Sequence, residues 1–572
     1  MAMFFAPAIA NSTDDRAVKQ ERVPAAAYYL DDPPSSFDLR NVNGNNYVSS
    51  VRDQGPYGTC WTHGVMASME GNLLMTGNWA AAGEQGEPDL SEAHLDWWNG
   101  FNNYNNDDDP GGDGVEVHFG GDYLLASAYI TRGEGAIRES DAPYENLEIT
   151  PERTDPNYHY YYPRDIEWYV AGSNLSNINT IKYTIMEKGV VGTALCYDGS
   201  FIQNYIHYQP PSSSYPPNHA VALIGWNDTK QTQAPQGPGA WLVKNSWGTG
   251  WGYDGYFWIS YYDKWCGQHP EMGAVSYQDV EQLIYKTIYS YDYHGWRDTM
   301  KNVTQAFNAF TAKETGTLPS ISFYTATNHV NYTVKVYDTF EAGQLLDELA
   351  SAQGTIDYKG YHTVDLNSSV VLFTGNTFYV SLSLSQGGQP FDRTSEVPVL
   401  LGALTRTIVK SIAHPGESFY WNGSAWVDLF TYHFNDSSWD GSANFCIKAL
   451  TIPFPAPILY IESITGGMGV TTTVKNIGLE QATDIHLSIN GTGGVFLYIP
   501  VKNYTITTLA VGESIPVHTS VFGLGLGFLT PLPEITVTAT APEANMASRS
   551  VQVKIIGPLV FLYEESQSVL LQ

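Results

Sequence analysis

The sequence is short of basic residues and of charge in general. Its 572 residues include 28 Lys and Arg against 59 Asp and Glu, so the formal net charge is −31, and only 15% of residues are charged. Soluble domains average about 25% charged residues. A surface that binds nucleic acid or an anionic membrane needs clustered Lys and Arg. The composition therefore argues against both kinds of partner.

Cysteine is scarce, and long apolar runs are missing. The four cysteines, Cys60, Cys196, Cys266 and Cys446, are too few for a disulfide-dense scaffold and too far apart for a zinc knuckle. No stretch of 18 apolar residues is present, so we expect no membrane span. A cysteine with a distinctive neighbourhood is therefore best interpreted as a reactive group.

Two features indicate an extracellular protein, either secreted or at the cell surface. Residues 1–34 are interpreted as a signal remnant followed by a leader or linker, because Ala8-Ile9-Ala10 has the small-x-small form of a signal-peptidase site. Asn-x-Ser/Thr sequons suit such a surface, although a chain rich in Asn, Ser and Thr also forms them incidentally. The sequons begin at Asn11, Asn174, Asn227, Asn302, Asn331, Asn367, Asn422, Asn435, Asn490 and Asn503.

The residue pattern divides the chain into three folded parts. Residues 35–279 mix helical and strand patterns, which predicts an α+β domain. Residues 280–453 contain many short aromatic and β-branched runs separated by turn residues, which predicts a jelly-roll β-sandwich. After Pro453, Pro455 and Pro457, residues 454–572 form a second all-β unit with the size of an immunoglobulin-like sandwich, followed by a C-terminal tail.

The clearest local signal surrounds Cys60. The run from Asp53 to Trp61 (DQGPYGTCW) leads directly into a helical pattern. A cysteine at a helix N-terminus faces the positive end of the helix dipole, which favours the nucleophilic thiolate. The Gln54 amide and the Cys60 N–H are placed to stabilise a developing oxyanion. The alternative is a buried structural cysteine.

Two further segments supply partners for a reactive thiol. His219 begins the strand-like run HAVALIGW, and Asn245 is the second residue of the run KNSWGTGWG, which begins at Lys244. An Asn oxygen can hold an imidazole in one orientation, and the Trp247 indole can keep water away from that bond. His63, three residues after Cys60, is a competing base without an evident orienting partner, so His219 is preferred.

Together these segments resemble the papain-like cysteine peptidases. The blocks around Cys60, His219 and Asn245 match that family's motifs, and weaker matches follow in the family's order at Leu90-Ser91-Glu92, Gly120-Gly121 and Ala142-Pro143-Tyr144-Glu145. The resemblance covers residues 35–279. It implies an α+β papain-like domain with a helical subdomain and a β-barrel-like subdomain, and it requires no cofactor.

The same resemblance implies a role for each matched residue. Cys60 is the expected nucleophile, His219 the base, Asn245 the group that orients His219, and Gln54 an oxyanion donor. The expected substrate contacts are Gly120, Gly121 and Trp247. Tyr57, His118 and Trp97 occupy positions where the family usually has half-cystines, so we expect packing to replace disulfides there.

The remaining parts resemble domains of prokaryotic surface peptidases. Residues 280–453 are similar to the lectin-like jelly roll that follows some papain-like domains, and residues 454–572 to cell-adhesion-related Ig-like domains. Exposed aromatics in residues 280–453 can stack on sugars, with core packing as the alternative. They are Tyr289, Tyr291, Trp296, Trp421, Trp426 and Trp439.

The segment Asn102 to Gly114 is dense in oxygen ligands. Asp107, Asp108, Asp109 and Asp113 are a candidate Ca²⁺ site, and a solvated acidic loop is the alternative. Because the segment precedes Gly120-Gly121, we expect it to border the substrate cleft and to favour cationic peptides.

Two functions from different classes fit these observations. The first is a secreted or surface-attached cysteine endopeptidase that hydrolyses protein or peptide substrates through a thiolate–imidazolium pair and a thioester, with β domains that bind cell-surface glycans. Transpeptidase or exopeptidase action differs only in the cleft walls. The alternative is a surface adhesin or glycan-binding protein with a degenerate peptidase scaffold.

Overall fold

The computed structural model of the chain describes residues 32–398, 406–453, 457–478, 480–493, 496–498, 504–526, 532–541, 544 and 546–564. Most of the signal remnant, the sequons at Asn11 and Asn503, and Pro455 lie outside these residues. Three units follow one another along the chain. The first is α+β and the other two are β-sandwiches, as the sequence predicts.

The first unit combines a helical layer with a mostly antiparallel sheet. Its helices are α1 (Cys60–Thr76), α2 (Asn78–Ala81), α3 (Glu92–Trp98), α4 (Tyr123–Thr131) and α5 (Ile178–Lys188). Its strands are β1 (Ser36–Asp38), β2 (Tyr161–Tyr169), β3 (Val191–Leu195), β4 (Ile202–Gln203), β5 (Ile206–His207), β6 (His219–Asn227), β7 (Ala240–Lys244), β8 (Tyr256–Ser260) and β9 (Ala274–Gln282). Among these described strands, only β5 and β8 pair in parallel.

Helix α1 is the central element of this unit. It is buried from Cys60 to Leu73, because most of its residues are apolar or small and its larger buried polar side chains, His63, Glu70 and Asn72, have hydrogen-bond partners. A Cβ at Gly64 would come within 2.4 Å of the Tyr123 hydroxyl, so the glycine permits close packing against α4. Gly77, with a φ of 75°, ends the helix in the left-handed conformation.

The second unit is a sandwich of two antiparallel sheets. Strands β10, β24, β13 and β16 form one face, and β15, β14, β17, β12, β21 and β22 form the other. The strands are β10 (Thr287–Tyr289), β11 (Asp298–Met300), β12 (Gln305–Thr311), β13 (Gly316–Thr325), β14 (Val330–Glu341), β15 (Gln344–Ile356), β16 (Gly360–Leu372), β17 (Thr377–Leu384), β18 (Gln389–Asp392), β19 (Ser395–Pro398), β20 (Arg406–Val409), β21 (Ser418–Trp421), β22 (Trp426–Asp428), β23 (Asn444–Phe445) and β24 (Ile447–Pro453).

The first two units share one sheet. Strand β16 pairs with β2, with Tyr361 opposite Ile166 and His362 opposite Asp165. One sheet therefore runs in the order β10-β24-β13-β16-β2-β9-β3-β6-β7-β8-β5-β4, with β1 paired to β6. A hydrogen bond of 2.6 Å between the hydroxyls of Tyr162 and Tyr361 adds a side-chain contact across this junction.

The third unit is a second sandwich. A sheet of β25, β27 and β31 packs on a larger sheet built around β35, β34, β33, β28 and β30, and its apolar core includes Ile461, Val474, Leu487 and Val537. The strands are β25 (Leu459–Thr465), β26 (Gly467–Met468), β27 (Val470–Asn476), β28 (Ala482–Thr492), β29 (Phe496–Tyr498), β30 (Tyr504–Leu509), β31 (Ser514–Thr519), β32 (Phe522–Gly525), β33 (Glu534–Thr540), β34 (Ala547–Gly557) and β35 (Leu559–Glu564). Its immunoglobulin-like character stays a prediction.

Across the described residues, no helix has the length and apolar character needed to cross a membrane.

Candidate active site

Cys60 is the first residue of α1 and is 2% exposed. Burial raises the pKa of its thiol to about 11. Hydrogen bonds from the backbone N–H groups of Ala220, Trp61 and Cys60 itself favour the thiolate and lower the pKa, but by less than burial raises it. The helix N-terminus thus acts in the predicted direction, but burial outweighs it. A free thiolate is therefore not the favoured form of Cys60 on its own.

Two antiparallel strands bring His219 and Asn245 together. His219 begins β6 and Asn245 follows β7, which pairs with β6. The His219 Nε2 donates to Asn245 Oδ1 at 2.7 Å, and that oxygen also accepts the Ser246 N–H at 2.9 Å. This leaves Nδ1 as the imidazole nitrogen for proton exchange. Burial lowers the pKa of His219 to about 4, although the hydrogen bond that His219 donates to Asn245 opposes the shift.

Trp247 covers the His219–Asn245 pair. Its ring stacks on the imidazole with centroids 4.4 Å apart and an interplanar angle of 19°. Tyr197 and Trp251 contact the indole edge-on, with centroids 4.6 and 5.0 Å away. The aromatic group thus fixes the plane of the imidazole and keeps solvent from its hydrogen bond.

Gln54 is held by hydrogen bonds at both ends of its amide. Its Nε2 donates to the Tyr57 carbonyl at 2.7 Å, and its Oε1 accepts the Ser246 hydroxyl at 2.7 Å. Because Tyr57 O can only accept, these partners fix which end of the amide is the donor. One Nε2 hydrogen is left for a ligand.

These residues open on one cleft of about 630 Å³. The cleft is lined by Gln54, Pro56, Tyr57, Gly58, Cys60, His118, Phe119, Glu148, Tyr197, Asn218, His219 and Trp247. The expected nucleophile, base and oxyanion donor, Cys60, His219 and Gln54, thus meet at one surface, and Asn245 is hydrogen-bonded to His219. That combination performs acyl transfer.

Residues 33–275 match the family model of the papain family cysteine proteases. The chain carries a papain-family cysteine peptidase domain. Residues 288–451 match the model of a lectin-like domain, which corresponds to the second unit.

Curated relatives align with the peptidase domain. Procathepsin L of Felis catus is 28% identical over 249 residues, which cover 42% of this chain and 64% of that protein. Cysteine proteinase 1 of Entamoeba histolytica is 29% identical over 249 residues, which cover 41% of this chain and 66% of that protein. The chain thus spans just under two thirds of the length of each of these relatives.

Two solved structures share the arrangement of peptidase and lectin-like domains. The cysteine protease and lectin-like domains of Cwp84, a surface layer associated protein of Clostridium difficile, match with a TM-score of 0.57 at 24% identity, covering 74% of this chain and 90% of that one. Clostridial Cwp84 after propeptide cleavage matches with a TM-score of 0.58 at 24% identity, and the match covers 73% of this chain and 99% of that one. This likeness shows the fold.

A buried ionic network anchors the loop that carries Asn245. The neighbouring Lys244 Nζ donates to Ser49 Oγ at 2.9 Å, and Ser49 in turn donates to Glu70. Burial lowers the pKa of Lys244 and raises the pKa of Glu70 to about 7, so each group depends on the other for its charge. The network ties the end of β7 to α1 and holds Asn245 in place.

His63, the competing base, does not line the cleft. Its Nδ1 is 3.0 Å from the Thr59 carbonyl, and its Nε2 is 4.0 Å from Glu92 Oε1. It borders a separate small cavity with Glu70, Glu92 and Lys244. This placement favours His219 as the base.

Gly120 and Gly121 are both buried rather than part of the cleft lining. A Cβ at Gly121 would come within 2.6 Å of the Trp61 ring, so this glycine allows close packing beneath the cleft. Backbone pairing of the two glycines with substrate stays a prediction. The preceding residue, Phe119, is 62% exposed and lines the cleft, which no sequence signal indicated.

Aromatic packing occupies the positions of the missing half-cystines. The His118 ring lies 5.4 Å from the Tyr57 ring and 5.2 Å from the Trp97 ring. The His118 Nδ1 is also 2.5 Å from Asp96 Oδ2, a bond that raises the pKa of His118. The Tyr57 hydroxyl donates to the Glu148 carboxylate, and both residues line the cleft.

The acidic segment turns toward the lectin-like domain and away from the cleft, in contrast to our expectation. Asp109 forms an ion pair of 3.1 Å with Lys410, and Asp108 Oδ2 accepts the Ile412 N–H at 2.9 Å. Asp107 pairs with Arg153 at 2.7 Å, and Asp113 is exposed. Ca²⁺ binding by these four carboxylates stays a prediction.

The six aromatics singled out in the lectin-like domain are less exposed than expected. Tyr289 is 3% exposed and lies in the core, whereas Tyr291, Trp296, Trp421, Trp426 and Trp439 are half-buried. Tyr291 stacks on Phe310 with centroids 5.0 Å apart. Core packing therefore accounts for much of this set.

Proposed function

We propose that the protein is an extracellular cysteine endopeptidase in which Cys60 attacks the scissile carbonyl. The observation that carries the proposal is the 2.7 Å bond from His219 Nε2 to Asn245 Oδ1, because His219 lines the same cleft as Cys60. This bond leaves the opposite imidazole nitrogen free to exchange a proton with the thiol. The alternative of a degenerate scaffold is disfavoured because Gln54, Cys60, His219 and Asn245 are all present.

Because Cys60 and His219 are both buried, the thiolate and imidazolium charges form together. A lone thiolate or a lone imidazolium is disfavoured at this site, as the opposite pKa shifts of Cys60 and His219 indicate. Transfer of one proton from Sγ to Nδ1 creates both charges at once, and each stabilises the other. The site keeps zero net charge throughout.

The reaction then proceeds in two halves. The thiolate adds to the carbonyl carbon, and the oxyanion is stabilised by the Gln54 Nε2–H and the Cys60 N–H. The His219 imidazolium protonates the leaving amine, the C–N bond breaks, and a thioester remains on Cys60. His219 next takes a proton from water, which attacks the thioester and releases the acid and the Cys60 thiol.

Replacing the nucleophile tests the proposal. Cys60→Ala should abolish hydrolysis of peptide amides, and a thiol-directed epoxide should label Cys60 alone in the unmodified protein. Cys196→Ala is the matched control, because Cys196 is also buried but does not line the cleft. Full activity in Cys60→Ala, or labelling that persists in it, would reject the assignment.

We propose neutral or cationic peptides as substrates. Glu148 lines the cleft, and the chain carries a formal net charge of −31. Screening by added salt should then raise KM for a cationic peptide more than for a neutral one. Equal salt dependence for the two peptides would contradict the charge preference.

We propose a surface location with glycan binding by the lectin-like domain. Eight of the sequons lie among the described residues, and seven of their asparagines are exposed. The edge hairpin of β21 and β22 pairs Trp421 with Trp426, half-buried indoles that can each offer a face to a sugar. A glycan array probed with full-length Cys60→Ala, and again with Trp421→Ala added, tests this; equal signals would exclude the hairpin.

A further inference from the structure

Three chelating side chains meet where the acidic segment of the peptidase domain contacts the lectin-like domain. Asp108 comes from the peptidase side, and His294 and Asp392 come from the lectin-like side. The His294 Nδ1 lies 3.9 Å from Asp108 Oδ2 and 3.8 Å from Asp392 Oδ2. His294 and Asp392 are each 1% exposed. We call these three residues the interdomain cluster.

Too few hydrogen-bond donors surround the His294 ring to satisfy both its Nδ1 lone pair and the neighbouring carboxylate oxygens. Its Nε2 donates to the Gly100 carbonyl at 3.0 Å, so a neutral imidazole presents a lone pair at Nδ1. That lone pair faces the Ser411 hydroxyl at 2.8 Å, but the single Ser411 hydrogen is directed to Asp392 Oδ1 at 2.9 Å. The other neighbours of Nδ1 in the cluster are oxygens of Asp108 and Asp392, which only accept while the carboxylates are ionised. An ionised cluster therefore has room for one proton or one cation beside Nδ1.

No basic side chain in the described part of the chain supplies that charge. Neither Asp108 nor Asp392 forms an ion pair with a Lys or Arg there. Arg132 attracts Asp108 at longer range but is paired with Glu134 at 3.0 Å.

We propose that the interdomain cluster binds one divalent cation of the Zn²⁺ or Mn²⁺ type, which links the peptidase and lectin-like domains. An imidazole nitrogen and two carboxylates suit these ions, whereas Ca²⁺ prefers six to eight oxygen ligands. The N–O separations of 3.8 and 3.9 Å agree with ligands that lie about 2.0–2.2 Å from one ion on well-separated sides. Ser411 Oγ is the adjacent fourth donor.

The bound ion would satisfy the lone pair of His294 and the charge of both carboxylates in one step. It would also fasten the acidic segment to the lectin-like domain, and the cleft residues His118 and Phe119 follow that segment along the chain. The site serves docking and stability, and it takes no part in the hydrolysis proposed above. Its test is therefore independent of peptidase activity.

The full-length protein is first analysed for metal. We expect about one Zn²⁺ or Mn²⁺ per chain by elemental mass spectrometry after a passage through buffer without chelator. EDTA should lower the first unfolding midpoint by roughly 5 °C, and Zn²⁺ or Mn²⁺ should restore it while Ca²⁺ should not. Variants His294→Gln and Asp392→Asn should lose the metal and the EDTA response.

Asp109→Asn is the matched control, because it removes a neighbouring charge that is paired with Lys410 outside the cluster. It should keep the metal. If the unmodified protein takes up none of the offered Zn²⁺ or Mn²⁺ and its unfolding midpoint is the same with EDTA, the proposal is overturned. Restoration by Ca²⁺ alone would also overturn it. Both results are obtained on the unmodified chain, so a variant that fails to fold does not decide the question.

Discussion

The anchored amide of Gln54 allows a quantitative test of oxyanion stabilisation. One Nε2 hydrogen is engaged by the Tyr57 carbonyl at 2.7 Å and the other is left for the substrate. Gln54→Ala removes that single donor. Loss of one oxyanion donor costs about 3–4 kcal/mol, or 10²- to 10³-fold in kcat, with little effect on KM.

Ser246 extends this test to the orientation of the amide. Its hydroxyl donates to Gln54 Oε1 at 2.7 Å, and its backbone bond to the Gln54 N–H at 2.8 Å does not depend on its side chain. Ser246→Ala should therefore free the amide without removing it, with a loss of about 10-fold, equal to roughly 1.4 kcal/mol. In Gln54→Ala the serine has no amide to orient. The double variant should then be no slower than Gln54→Ala alone.

The assay is steady-state hydrolysis of a fluorogenic peptide amide, with active sites counted by epoxide titration. Labelling of Cys60 should persist in all three variants, because the thiol and His219 are unchanged. Additive losses in the double variant would show that Ser246 acts by another route. A Gln54→Ala enzyme with nearly full kcat, or with a loss confined to KM, would refute the role of the amide.

Two further predictions concern proton uptake and packing. The acid limb of kcat/KM should lie near pH 4, because burial lowers the pKa of His219 to about 4. Below that pH the imidazole is protonated and cannot act as the base, while the Cys60 thiol keeps its proton. An acid limb near pH 6.5 in a pH–rate profile would contradict this. Gly64→Ala should destabilise the peptidase domain by about 1–3 kcal/mol in chemical unfolding, because the new Cβ would lie 2.4 Å from the Tyr123 hydroxyl. Gly199→Ala, where a Cβ meets nothing within 4 Å, is the control, and equal effects of the two would contradict the clash.

The proposed catalytic residues could be assigned from the sequence because each belongs to a short motif. Cys60 precedes a helical pattern, His219 begins a strand and Asn245 follows one, so the local sequence already indicates their places. The three segments meet because β6 and β7 pair and α1 packs against β6. The resemblance to papain-like peptidases supplied the roles that spacing alone did not.

Other features depend on contacts between distant parts of the chain. The direction of the acidic segment is set by Lys410 and Ile412, about three hundred residues further on, which no local pattern connects to Asp108 and Asp109. The burial of both catalytic partners also requires the assembled core. For this reason, the prediction from the helix N-terminus alone gave the Cys60 thiol too low a pKa.

The strand pairing between β2 and β16 has a consequence for how such proteins can be cut or recombined. A peptidase ended after β9 would present the unpaired backbone groups of Asp165 to Glu167 as an open sheet edge. Exposed edges recruit other strands, so the shortened enzyme should self-associate even with an intact cleft. In this chain, a foreign second domain can therefore replace the present one only if it brings a strand that closes the same edge.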